Sequence, residues 1–117
     1  RCGLVYLKGY IYAIGGDRNE GTAERYDPSR DEWTSIPPVP IPDPVSSELC
    51  AVTLDDSIYV ISGKHCYCFS TTENTWRKIA GMLEPPLRPQ AITHQGSIYC
   101  VDSDKEWGES TSTRLEV

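Results

Sequence analysis

Three stretches, LKGYIYAIGG (7–16), LDDSIYVISG (54–63) and HQGSIYCVDS (94–103), share one order: a turn pair, Ile-Tyr, an alternating apolar run, then small or acidic residues. Their tyrosines, Tyr12, Tyr59 and Tyr99, lie 47 and 40 residues apart. Self-similarity at such a period marks an array of one supersecondary unit, and it decides the fold before any single element does. Each run follows a short apolar segment and a turn pair, Lys8-Gly9, Asp55-Asp56 or Gln95-Gly96, as a tight hairpin is written. GLVYL therefore pairs with YIYAI, LCAVTL with SIYVI, and QAITH with SIYCV. A third strand carrying an aromatic residue follows, then a tryptophan at a fixed offset: Tyr26 precedes Trp33, and Phe69 precedes Trp76, by seven residues in both cases. Between them, Asp27-Pro28 presets a turn, and the Ser, Thr and Asn residues of FSTTENTW serve the same end. Each period is four short antiparallel strands, the sequence form of a propeller blade.

Composition agrees. Nine Gly and nine Pro, against one Phe and one Met, disfavour helices. The 117 residues, 38% hydrophobic and 24% charged, are enough for a core. Seventeen acidic against eleven basic residues leave a net charge of -6, which offers no footprint for phosphate backbones or anionic lipid, so neither nucleic acid nor membrane is an expected partner. No stretch approaches the roughly 20 apolar residues of a membrane span. Cys2, Cys50, Cys66, Cys68 and Cys100 are odd in number and irregular in spacing, which fits reduced thiols in the cytoplasm acting as small apolar residues better than a disulfide framework.

With the repeat in hand, IYAIGG, the aromatic residue of ERYDP, Trp33 and TSIPPVP together resemble a kelch repeat, and EWTSIPPVP resembles that family's blade ending. The second copy, IYVISG through Trp76 to RKIAGMLEPP, has Ser62 for the first Gly, and the third has Asp102-Ser103 where two glycines are expected. The resemblance implies an all-β chain, a kelch-type β-propeller fragment of just under three four-stranded antiparallel blades. Residues 1–40 form one blade, 45–86 a second and 87–117 an incomplete third, all part of one larger propeller. Gly15, Gly16, Tyr26, Trp33, Gly63, Phe69 and Trp76 are the structural repeat residues. Gly15-Gly16 should end its strand with positive φ, a need that Ser62 and Asp102 put in doubt later. The two tryptophans should cover the gaps between neighbouring blades. Aligning Leu115-Glu116-Val117 with Ala23-Glu24-Arg25 puts the third blade's aromatic position one residue past Val117.

Catalytic chemistry finds little support. His65, Cys66, Cys68 and His94 invite a metal reading, but Cys66 and Cys68 share one face of a strand rather than a turn with ligand spacing, so no metal and no cofactor is expected. Cys66 beside His65 is the one candidate for a reactive thiol. Asp55-Asp56, Asp102 and Asp104 fall in turns or loops, and Gly15-Gly16 lacks the Lys and helix of a phosphate loop. The chain is therefore expected not to be an enzyme.

Binding remains. In an up-down-up-down blade, the second-to-third and blade-to-blade connections emerge on one rim: Asp17 to Thr22, Lys64 and His65, Ser103 to Ser112, Ser35 to Ser47 and Gly81 to Pro89. Recognition residues concentrate on such loops. Arg18, Asn19, Glu20, His65, Arg88 and Glu109 are the polar candidates. IPPVPIPDP (36–44) is stiff, either a blade connector or a polyproline ligand. Ten residues before Ile11, Ile58 and Ile98 stand Arg1, Glu48 and Arg88. Kelch proteins that capture peptides often present arginines near this point. Arg1 and Arg88 could grip a carboxylate-rich peptide, and Glu48 could instead neutralise one of them. The resemblance implies a noncatalytic protein-interaction module, often the substrate-recognition part of a BTB-kelch adaptor of a cullin-RING ubiquitin ligase. A cytoskeletal, actin-associated scaffold and a propeller enzyme are the alternatives.

Overall fold

The structure is a computed structural model that describes residues 2–15, 21–41, 49–62, 65–79, 89–102 and 112–115. Its described residues form eleven strands in three antiparallel sheets, each in sequence order. The first blade holds β1 (Cys2–Leu7), β2 (Tyr10–Gly15), β3 (Ala23–Asp27) and β4 (Glu32–Ile36). The second holds β5 (Leu49–Leu54), β6 (Ser57–Ser62), β7 (His65–Ser70) and β8 (Thr75–Ile79). The third holds β9 (Pro89–His94), β10 (Ser97–Asp102) and β11 (Ser112–Leu115). No helix among these residues is long and apolar enough to cross a membrane.

The turn pairs perform as their chemistry dictates. Lys8, Gly9, Asp55, Gln95 and Gly96 have φ between 48° and 88°, the left-handed backbone that matches a two-residue hairpin to the strands' twist. The turns after β3 and β7 have the same length but are closed by different hydrogen bonds. Arg30 N–H donates to the Asp27 carbonyl at 3.2 Å while the Ser29 N–H and hydroxyl donate to the Asp27 carboxylate. In the second blade Asn74 N–H donates to the Ser70 carbonyl at 2.8 Å and Glu73 N–H to the Ser70 hydroxyl at 3.1 Å. Asp31 and Asn74 close the two turns with φ 52° and 57°, in residue types that tolerate the left-handed region.

Strand register fixes which residues share a face, because side chains alternate. Ile11 lies opposite Tyr26, Ile58 opposite Phe69 and Ile98 opposite Leu115, so the three blades superpose position by position. Leu115 thus holds the aromatic position. This corrects the sequence alignment by three residues: Ser112, not Leu115, corresponds to Ala23, and an aliphatic residue serves where the other blades use a ring. Five residues assigned to loops, Ser35, Ile36, His65, Pro89 and Ser112, belong to strands.

Each blade has a leading face, turned toward the start of the chain, and a trailing face. The trailing face of the first blade meets the leading face of the second in a core of Tyr12, Ile14, Ala23 and Ile36 against Ile58, Val60, Tyr67 and Phe69. The trailing face of the second meets the leading face of the third through Tyr59, Ile61, Cys66 and Cys68 against Ile98 and Cys100. Ile14, Ile58, Val60, Ile61 and Ile98 are fully buried, and each such aliphatic side chain contributes about 1.5–3 kcal/mol of transfer free energy. Close approach at the innermost strands requires Gly3, where a Cβ would stand 3.0 Å from that of Ala51.

The tryptophans divide. Trp76 packs on the first core and its indole N–H donates to the Pro37 carbonyl at 2.6 Å, spanning the gap as expected. Trp33 stacks beside Tyr26 at 5.0 Å but is 56% exposed, because no described residue lies against the leading face of its blade. Gly15 has φ 77° and donates its N–H to the Thr22 carbonyl at 2.6 Å. Ser62 and Asp102, its register equivalents, do not share that backbone. Among the described residues, the positive φ at this strand end occurs in the first blade alone. Gly16 and Gly63 lie outside the described residues.

Candidate functional site

Register brings Cys2 opposite Gly15, Leu49 opposite Ser62 and Pro89 opposite Asp102. The innermost strands β1, β5 and β9 therefore all begin on the rim where the second-to-third connections of their blades emerge. Arg1, Glu48 and Arg88 immediately precede these three strand starts in sequence. Arg1, Arg18, Asn19, Glu20, Glu48, Arg88 and Glu109 lie outside the described residues. Of the polar candidates, His65 alone is described. It opens β7 opposite Ser62, half-buried, with its ring 6.4 Å from that of Tyr67.

The proline-rich exit from the first blade is a connector over its described part. Val39 is buried, its N–H donates to the Gly21 carbonyl at 2.8 Å, and the Ile41 N–H donates to the Val39 carbonyl at 2.8 Å. With the Pro37 carbonyl engaged by Trp76, the segment from Pro37 to Ile41 is pinned to both blades. Sequence reasoning missed Gly21, which makes this possible. It has φ 66°, and a Cβ there would come 2.7 Å from the Val39 carbonyl oxygen. Its partner lies eighteen residues ahead, so no local signal announces it.

The opposite rim is richer than its short turns imply. Lys8 and Asp56, on adjacent hairpins of different blades, pair at 3.3 Å with both side chains largely in solvent, a contact worth only ~0.2–1 kcal/mol. Tyr26 donates its hydroxyl to Asp31 at 2.5 Å, which together with burial raises the phenol above its ordinary value. Ser29's hydrogen bonds hold the Asp27 carboxyl below its usual range. A cavity of about 290 Å³ is lined by Tyr10, Arg25, Asp27, Arg30, Glu32 and Thr34. In it the Arg25 guanidinium lies 4.3 Å above the Tyr10 ring, with a buried Nε that has no hydrogen-bond partner. Two cations and two carboxylates balance, so the cavity favours neither charge.

The thiols line the seam between the second and third blades. Cys66 is fully buried, and burial with the neighbouring Cys100 pushes its thiol up to about 11. That is the reverse of an activated nucleophile, whose pKa must fall. Cys50 is raised further by its hydrogen bond with Cys100 and by burial. Among the described residues no group of three or more His, Cys, Asp or Glu is placed to hold a metal ion.

The Kelch motif family matches residues 1–40. The chain is 42% identical over 82 residues to human Kelch repeat and BTB domain-containing protein 2, covering 66% of this chain and 13% of that protein. It is 42% identical over 122 aligned positions to mouse Kelch domain-containing protein 7A, covering 97% of this chain and 16% of that protein. Kelch-like protein 23 of Pongo abelii is 32% identical over 101 residues, 80% of this chain and 18% of the relative. The chain thus spans less than a fifth of the curated relatives it matches. Among solved structures, that of YjhT superposes with a TM-score of 0.72 over 88% of this chain and 34% of the other. At 15% identity that likeness is one of fold. The repeat, the three sheets and these matches agree: this chain is a run of kelch repeats, similar to those of the kelch-like and BTB-kelch proteins.

Proposed function

We propose that this chain is a noncatalytic protein-interaction module that receives a carboxylate-rich peptide of a partner at the rim where β1, β5 and β9 begin. The observation that carries the reading is the register, which brings the starts of three innermost strands to one rim, each preceded in sequence by Arg1, Glu48 or Arg88. Arginines so placed would bind carboxylates by paired hydrogen bonds, with Glu48 setting which of them is free to do so. Arg18, Asn19, Glu20, His65 and Glu109 belong to the same proposed surface. Titration of the chain with Glu-rich and Lys-rich peptides tests it. The Glu-rich peptide binds, Arg88→Ala weakens it about tenfold or more, and added salt weakens it further. Equal binding of both peptides, or unchanged affinity in Arg88→Ala, overturns the rim assignment.

Similarity to proteins named for kelch repeats and a BTB domain supports a finer reading: substrate recognition, in the cytoplasm, for a cullin-RING ubiquitin ligase. Capture of a cullin by the complete protein in cell extract tests this, and its absence together with co-sedimentation on actin filaments would favour the cytoskeletal alternative. Metal analysis of the complete protein tests the enzyme alternative.

A further inference from the structure

The cavity at the opposite rim lies on the trailing face of the first blade, which the second blade covers at Tyr12, Ile14, Ala23 and Ile36. It stays open although the neighbouring blade is in place. Register sets its floor: Arg25 stands opposite Thr34, and Asp27 opposite Glu32, on β3 and β4. Tyr10 lies beside Arg25 on β2, under its guanidinium. The repeat does not call for this arrangement. The equivalent positions of the second blade hold Ser57, Cys68, Ser70, Thr75 and Arg77, which bring neither a carboxylate nor a stacked guanidinium. The charged lining is therefore surplus to what packs one blade on the next.

Its charges fall into two groups. Asp27 and Arg30 belong to one turn, closed by the Arg30 N–H on the Asp27 carbonyl at 3.2 Å, and the Asp27 carboxylate already accepts from the Ser29 N–H and hydroxyl. Arg25 and Glu32 have no ion-pair or side-chain hydrogen-bond partner among the described residues. The Arg25 guanidinium is held against the Tyr10 ring at 4.3 Å with its Nε unbonded, which orders the planar fork that a carboxylate recognises. Glu32 is exposed. On their paired strands Arg25 and Glu32 are diagonal neighbours, a relation that sets two residues about 7–8 Å apart. Alternate residues of an extended chain present their side chains on one face about 6.6 Å apart, so one such chain meets both groups at once. We propose that this cavity seats two oppositely charged side chains, alternate in sequence, of an extended segment of a partner protein: a carboxylate on Arg25 and a cation on Glu32. The pair brings no net charge, as the balanced lining requires. A volume of about 290 Å³ stands at the lower end of ligand pockets, which suits two side-chain heads better than a cofactor.

Titration of the complete protein, carrying isotope-labelled arginine, with the capped peptides Thr-Glu-Val-Lys-Thr and Thr-Lys-Val-Glu-Thr tests the proposal by NMR. The β-favouring residues keep both extended. At least one order shifts the Arg25 Nε–H signal saturably, with a dissociation constant on the order of 1 mM. Thr-Glu-Lys-Val-Thr, whose adjacent charges point to opposite faces, binds at least about threefold more weakly. Arg25→Lys assigns the signal by its loss and, read from the peptide's own resonances, weakens binding about fivefold or more because the fork is gone. Glu32→Gln, on an exposed side chain, abolishes the preference for Thr-Glu-Val-Lys-Thr over Thr-Glu-Val-Gln-Thr, which the parent separates at least about threefold. Arg88→Ala leaves all of this unchanged, which separates the cavity from the rim proposed above. An Arg25 signal that no peptide moves, equal affinity for alternate and adjacent charges, a preference that survives Glu32→Gln, or loss of binding in Arg88→Ala overturns the inference.

Discussion

Tyr26 and Phe69 hold the same place in the repeat, each on a third strand, each beside a tryptophan at about 5 Å. Phe69 is 1% exposed and lies in a core, whereas Tyr26 reaches solvent and spends its hydroxyl on Asp31. The difference lies in the neighbour rather than the position. In a repeat array each unit buries its apolar face only on the next one, so one motif makes a core in the second blade, where the described residues supply that neighbour, and not in the first, where they do not.

The comparison is broken most forcefully at that pair. Phe69→Ala should cost about 3–5 kcal/mol, since it empties a close-packed core. Tyr26→Ala, measured by urea denaturation, should cost a small part of that. Equal costs would mean that the first blade's leading face is as structured as a core.

That outcome bears on what the sequence can say. The hairpins were legible because Lys8-Gly9 and Gln95-Gly96 carry their backbone requirement in their own residue types. The aromatic-to-tryptophan offset was legible because it recurs. Three things were not. Gly21 acts on Val39, and only the tertiary path brings them together. Leu115 stands at the register position where the other blades have a ring, which a search for rings cannot see and strand register can. The contrast between Trp33 and Trp76 depends on the blade beyond, not on the residue. The candidate rim was legible as a topological consequence of four-stranded blades. His65 is its one described polar member, held at the start of a strand by its pairing with Ser62.

The trailing faces offer a second contrast of intermediate size. Ala23 in the first blade and Cys66 in the second are register equivalents, opposite Ile14 and Ile61. Only the second can ionise. Its thiol is raised from 9.0 to about 11 on folding, so its stabilising contribution is complete below the unfolded value and is lost as pH rises through the folded one. Discounted for solvent screening, the loss is about 1–2 kcal/mol between pH 9 and 11. Burial raises Tyr59 and Tyr67 in the same direction. Thermal unfolding followed at pH 7, 9 and 11 should show stability falling in the alkaline window. Cys66→Ala, which installs the first blade's residue, should shrink the alkaline loss. A fall of the same size in that variant would assign the pH dependence to Cys50 and the tyrosines instead.

The smallest expected effect lies at the tryptophans, and it is the sharpest. Trp76→Phe keeps an aromatic ring against the first core but removes the indole N–H that reaches the Pro37 carbonyl, leaving a part-buried acceptor without its donor. Such a loss costs about 1 kcal/mol. Trp33→Phe removes no such bond, since its indole stands 56% exposed on a face that nothing described covers, so its cost should fall within about 0.5 kcal/mol of zero. The contrast also has a direction in the chain. Pro37 belongs to the segment leaving the first blade, so Trp76 fastens that exit to the outer strand of the second. Trp76→Phe should therefore speed amide exchange at Val39, whose N–H is held by Gly21, while Trp33→Phe leaves it unchanged. Matching exchange rates in the two variants would show that the connector is held by Gly21 and Val39 alone, and that the tryptophan packs against it without fastening it.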